Sequence, residues 1–257
     1  MWTRLSIIRW RRLCVACGLA VGLAAAPAQA LDLGNLAGGL IDLARAATLS
    51  DSEARALALE ASQHMDGKNP VAPPNHAYAR RLARVVGGLQ QEDGLALNFK
   101  VYLNKQVNAF AMANGTVRVY AGLLDAMSDD EVRFVIGHEI GHVKLGHSKK
   151  AMQVAYTASG VRGLAVGSGN QVLAQLGGSA IGGLAEAVVN AQFSQSQENE
   201  ADAYAVAFMR RHGYPPQAAL SALRKLQALG GDNAHILSSH PASSERLGRV
   251  EAEIQRH

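Results

Sequence analysis

EVRFVIGHEIGHVKLGH, residues 131–147, is the stretch on which the reading of this chain turns. Residues four apart on a helix share a face, so His138 and His142 point their imidazoles at a common spot. Neutral imidazole suits zinc, with Zn–N near ~2.0–2.1 Å. Glu139 lies roughly 100° around the helix axis from His138. It flanks such an ion without binding it, close enough to take a proton from a metal-bound water. H-E-x-x-H on a helix is a zinc-peptidase arrangement for this reason. Ser128 with Glu131 three residues later forms a capping box that opens the helix, which is expected to run to about Met152. Phe134, Val135 and Ile140 supply an apolar stripe, and Gly137 and Gly141 are expected to leave space beside the ion.

A catalytic zinc takes a third protein ligand and keeps one position for water. Cysteine is excluded, because the chain has two, Cys14 and Cys17, and both precede residue 31. The run ENEAD supplies Glu198, Glu200 and Asp202 within five residues. Glu198 and Asp202 share a helical face. One of them can bind zinc while the other accepts a hydrogen bond from a ligand histidine's second nitrogen. The spacing leaves open which does which; Glu200 points elsewhere.

Residues 1–30 have the layout of a secretory signal: Arg4, Arg9, Arg11 and Arg12, an apolar run from Leu13 to Ala26, then PAQA with cleavage expected after Ala30. The whole chain has 25 basic and 21 acidic residues. The four signal arginines account for the excess, so the remainder carries 21 of each and gives no reason to expect a nucleic-acid partner. Without its two cysteines the exported chain has no thiol nucleophile and no disulfide. The expected location is the periplasm.

The expected fold class is α+β, mainly α-helical. An N-terminal helical segment over 31–74 precedes a catalytic domain over 75–257. Ser50 and Glu53 cap one helix, GKNPVAPPN breaks it, and AYARRLARVVGGL forms another. LALNFKVYL alternates as a strand does. Asn114-Gly115 between two alternating runs is a hairpin cue, so a small three-stranded antiparallel sheet is expected beside the motif helix. The Gly-rich stretch Thr157–Ala191 carries Arg162, Asn170 and Glu186, which argues against a membrane span. A helical hairpin or lid is expected there, with peripheral membrane contact left open.

GHEIGHVKLGHS, SQSQENEADAYA and SSHPASSERL, in that order, resemble the HtpX/BepA/LoiP-type zinc metallopeptidases, gluzincins related to the CaaX-prenyl endopeptidases, and most of all their LoiP-like periplasmic branch. The similarity covers roughly Tyr78 to Arg249. It implies one zinc per chain on His138, His142 and Glu198, Glu139 as catalytic base, and Asp202 as the partner of a zinc-bound histidine; Glu200 is the alternative ligand. It also singles out His240, whose ring either blocks the water position at rest or stabilises the oxyanion, unless it merely caps the last helix. Arg246 matches a downstream arginine that ties the last helix to the site, and His147 is structural. Asn108, Ala109 and Phe110 resemble an edge strand that holds the substrate as an added strand, unless they merely build the sheet. The implied activity is cleavage of misfolded or misassembled envelope proteins. The alternative is a periplasmic chaperone or assembly factor for outer-membrane proteins with peptidase activity secondary.

Overall fold

The computed structural model describes residues 33–167, 180–229, 236–241 and 244–256. The expected export segment 1–30, the middle of the Gly-rich stretch (168–179), His235 and His257 lie outside the described residues. Helices α1 (Leu33–Thr48), α2 (Asp51–Lys68) and α3 (Ala77–Val85) come first. Then follow strands β1 (Gln91–Glu92), β2 (Leu95–Ala96), β3 (Asn98–Tyr102), β4 (Ala109–Ala111) and β5 (Thr116–Tyr120). Helices α4 (Ala121–Ala126), α5 (Asp129–Lys144), α6 (His147–Gly167) and α7 (Ala180–Val189) lead to α8 (Gln195–Arg211). Helices α9 (Ala218–Leu229), α10 (Ile236–Ser239) and α11 (Ser244–Gln255) end the chain. The capping boxes at Ser50/Glu53 and Ser128/Glu131 both form.

The sheet has three strands, as expected, but it is mixed rather than antiparallel. β4 and β5 make the hairpin through Asn114-Gly115, with Ala109 opposite Val119 and Ala111 opposite Val117. β3 pairs with β5 in parallel, giving the order β3-β5-β4. The cause is the segment 103–108, which carries the chain past the sheet so that β5 returns between the other two. β5, buried along all five of its residues, thereby takes the centre. The expected strand over 95–103 is in fact two. Its start pairs with β1 in a tight hairpin, and Leu97 breaks the run by donating its N–H to Gln90 O.

The sheet has a core on each face. Val101, Ala109, Ala111, Val117 and Val119 face α3, α5, α8 and α9. Tyr102, Phe110, Met112 and Tyr120 face residues of α2, α6 and α7. This is the period-two alternation of a strand buried on both sides. Arg118 is the exception on the second face. It is buried and donates from Nε and Nη2 to the two oxygens of Asp66 on α2, at 2.7 and 2.9 Å. Lys100 and the Tyr102 hydroxyl also donate to Asp66, at 2.7 and 2.8 Å. Within the Gly-rich stretch, α6 and α7 pack on each other. No helix among the described residues is long and apolar enough to cross a membrane.

The motif helix stops earlier than expected. α5 ends at Lys144, Gly146 takes φ +78, and α6 starts afresh at His147. Glycine adopts that left-handed turn without the penalty a side chain carries. α5 and α8 lie antiparallel and in close contact. A β-carbon on Gly137 would sit 2.6 Å from Phe208 Cδ1, and one on Gly141 would sit 3.1 Å from Tyr204 Cδ1 and 3.3 Å from Ala201 Cα. The two glycines therefore make room for α8, not for open space at an ion.

Two outcomes follow from this packing. Gly137→Ala forces the buried Phe208 ring to shift, an overpacking cost of about 1–3 kcal/mol, read by calorimetry as a Tm lower by about 2–4 °C per kcal/mol. Asp66 is held down to about 2 because its bonds to Arg118, Lys100 and Tyr102 outweigh the opposing effect of burial. A depressed carboxyl stabilises the fold above its unfolded pKa, and that contribution fades as pH falls through the folded value. Asp66→Asn is expected to cost about 2–3 kcal/mol at neutral pH. In denaturant titrations the gap to wild type closes as pH falls from about 4 towards about 2.

Candidate metal centre

α5 supplies His138, Glu139 and His142, α8 supplies Glu198 and Asp202, and the residue after α10 is His240. All six are buried. One ligand-capable atom from each of His138, His142, Glu198 and His240 falls in a group spanning at most 4.8 Å. His138 Nε2 lies 3.0 Å from His142 Nε2 and 3.1 Å from His240 Nδ1. Glu198 Oε1 lies 3.3 Å from His142 Nε2 and 3.0 Å from His240 Nδ1. Four donors about 2.0–2.1 Å from a tetrahedral zinc are about 3.3–3.4 Å from one another. Three imidazole nitrogens and a carboxylate that converge at these separations fit a metal ion.

The surroundings set the charge and the tautomers. Asp202 Oδ1 lies 2.9 Å from His138 Nδ1, so that nitrogen carries the proton and Nε2 presents its lone pair. Arg246 Nε and Nη2 donate to Asp202 at 2.8 and 2.7 Å, and Arg246 Nη1 lies 2.7 Å from Glu198 Oε2. Burial opposes ionisation of Glu198, yet the three imidazoles hold its carboxyl well below the usual range. For Asp202, Arg246 and His138 likewise overcome burial and keep the carboxyl low. Burial holds His142 well below the ordinary histidine range. His240 is raised despite burial, because the Glu139 and Glu198 carboxylates face it.

Glu139 stands apart from the four donors. Burial lifts its carboxyl above the ordinary range, although the N–H of Ala111 on β4 donates to it. Its Oε1 is buried without a hydrogen bond, 3.6 Å from His240 Nε2. A buried carboxylate oxygen with nothing bound to it, beside the donor set, has room for a proton-bearing group.

The other residues singled out by the sequence, and one that carried no signal, lie around this cluster. Glu200 lies outside the cluster, with its side chain 53% exposed and Oε2 3.4 Å from His147 Nε2. His147 begins α6 and its ring turns back, bringing Nδ1 to 3.0 Å from His142 Nδ1. Asn108, Ala109 and Phe110 are buried, and the Phe110 ring packs with Tyr102 and Tyr120. Their side chains build the sheet. The backbone of β4 is what meets α5. Phe193 carried no sequence signal. Its ring stacks on His142 with centroids 3.9 Å apart, and its N–H donates to Ser239 O, 3.4 Å away.

Comparison with known proteins agrees with this geometry. Residues 76–254 match the model of peptidase family M48. The chain is similar to metalloprotease LoiP of Escherichia coli, 43% identical over 224 residues that cover 86% of this chain and 88% of LoiP. It is 40% identical to metalloprotease YcaL of the same organism over 212 residues, 82% of this chain and 83% of YcaL. A beta-barrel assembly-enhancing protease of Yersinia pestis is 27% identical over 86% of this chain but only 46% of its own length. With a family model spanning most of its length and two long relatives at this identity, the chain belongs to peptidase family M48, in the LoiP-like branch, and is a zinc-dependent metalloendopeptidase.

Proposed function

We propose that the chain hydrolyses peptide bonds of misfolded or misassembled envelope proteins, with zinc held by His138, His142 and Glu198 and with Glu139 as the base. The observation that carries the roles is the convergence of the donors beside the unbonded Glu139 Oε1. Bound zinc supplies Lewis acidity, making water nucleophilic at neutral pH and polarising the scissile carbonyl. Glu139 takes the proton of the attacking water and passes it to the leaving amine; burial makes its carboxylate a stronger base for the first step. Asp202 fixes the tautomer and angle of His138, and Arg246 fixes Asp202. His240 Nδ1 belongs to the donor group, where it would either occupy the water position at rest or, turned aside, donate to the oxyanion.

The substrate binds as an extended strand along β4. Within the β4–β5 ladder, Tyr120 N–H donates to Asn108 O and Met112 N–H donates to Thr116 O. Residues 108, 110 and 112 thus face β5, and the backbone of Ala109 and Ala111 turns away from it, with the Ala109 N–H donating to Asn108 Oδ1 and the Ala111 N–H to Glu139. Main-chain pairing at that edge accepts a peptide largely irrespective of its sequence, which suits unfolded clients. The export segment 1–30, the segment 31–74 ahead of the catalytic domain, and a periplasmic location belong to the same reading. One relative's name, beta-barrel assembly-enhancing protease, supports envelope proteins as clients and keeps an assembly role beside cleavage.

Glu139→Gln is expected to retain one zinc per chain by elemental analysis while casein cleavage falls at least ~10²-fold. Full activity in that variant removes Glu139 from the mechanism. His138→Ala and Glu198→Ala are each expected to lose the metal itself. If Glu139→Gln still suppresses client aggregation as wild type does, holding clients is separable from cutting them.

A further inference from the structure

The two imidazoles of the motif are supported in different ways, and the support of His142 is not a carboxylate. Its Nδ1 faces His147 Nδ1 at 3.0 Å. Between two imidazole nitrogens one must donate and the other accept. His142 Nε2 faces the other donors, so its proton sits on Nδ1 and His147 Nδ1 accepts. His147 is then protonated on Nε2, which lies 3.4 Å from Glu200 Oε2. The other oxygen of Glu200 accepts from Ser196 Oγ at 2.9 Å. A His142–His147–Glu200 relay therefore runs from the buried centre to a half-exposed carboxylate on α8.

Resting on the zinc-site reading above, the geometry points to His147 as a positioning residue for the metal centre, acting through His142 with Glu200 as its anchor. His138 receives negative charge directly from Asp202, whereas His142 receives it through a neutral ring. His147 acts only while it accepts, and Glu200 keeps it in that tautomer. The break at Gly146 makes this contact available: it starts a second helix at His147 and turns the ring back onto α5.

The test uses the full exported chain. Zinc affinity is measured by competition with a chromogenic chelator, and ring tautomers by long-range ¹H–¹⁵N spectra of the zinc-loaded, histidine-labelled protein. His147→Phe keeps a ring but removes the acceptor, and is expected to weaken zinc binding by about 10–100-fold. His147→Gln, whose amide oxygen accepts and whose nitrogen donates, is expected to recover most of the loss. Glu200→Gln is expected to fall between wild type and His147→Phe. Wild-type spectra are expected to show His142 protonated on Nδ1 and His147 protonated on Nε2 alone. A purely structural role would lower the melting temperature of the metal-free protein while leaving zinc affinity unchanged, and that result overturns the relay. So does a His147 ring protonated on Nδ1, which wild-type spectra reveal even if His147→Phe does not fold. A wild-type protein that binds no zinc overturns the site reading, and the relay with it.

Discussion

Three carboxylates, Glu139, Glu198 and Asp202, lie buried together against one permanent cation, Arg246. Buried charge of one sign is unfavourable unless it is paired. With all three ionised, the imbalance is two negative charges, and a divalent cation removes it. Burial pushes the Glu139 carboxyl up towards its neutral form, and the Glu139 and Glu198 carboxylates push His240 up towards its charged form. A cation among the four donors relieves both. The metal is thus part of the electrostatic solution of this core as well as of the chemistry, as expected where binding energy is also folding energy.

That solution requires α5 and α8 to approach more closely than ordinary side chains allow. Gly137 and Gly141 permit the contact with Phe208, Tyr204 and Ala201. The same contact brings His138 opposite Asp202 and His142 opposite Glu198. Arg246 from α11 closes the arrangement from outside as the ion-pair partner of both Glu198 and Asp202. On the other side, the mixed sheet delivers β4 to α5, so that the strand edge and Glu139 meet at a single hydrogen bond from Ala111. The parallel β3–β5 pairing matters here, because it places β5 at the centre and leaves β4 at an edge.

Much of this was legible in the sequence because it is carried by local spacing. The helical repeat puts His138 with His142 and Glu198 with Asp202, and the capping boxes and the Asn-Gly turn are short-range signals that hold in almost any context. What the sequence hid was set by partners distant along the chain. The parallel pairing of β3 depends on where β5 comes to rest, which no alternation pattern states. Gly137 and Gly141 read as empty space because Phe208 and Tyr204, the residues that fill it, lie more than sixty positions away. The contact of His147 with His142 is hidden from a reading in which the motif helix continues to about Met152. One left-handed glycine at position 146 alters that geometry.

The four donors are not equally anchored, and the difference bears on how a peptide reaches the centre. His138, His142 and Glu198 sit on helices of sixteen and seventeen residues whose other faces are deep in the main core. His240 follows a four-residue helix and is held by its own N–H to Ile236 O, the Ser239 carbonyl to Phe193 N–H, the His240 and Pro241 carbonyls to Arg246, and the burial of Ile236 in the main core. Displacing a donor on α5 or α8 would break a helix–helix interface, whereas displacing His240 disturbs one short helix anchored in the core by Ile236, a few hydrogen bonds, and ring contacts with His138, His142 and Phe193. Local stability is lowest where buried contacts are fewest. On the mechanism proposed above, opening belongs to the residues that follow Ile236, and the pair of helices keeps the other three donors in place while it occurs.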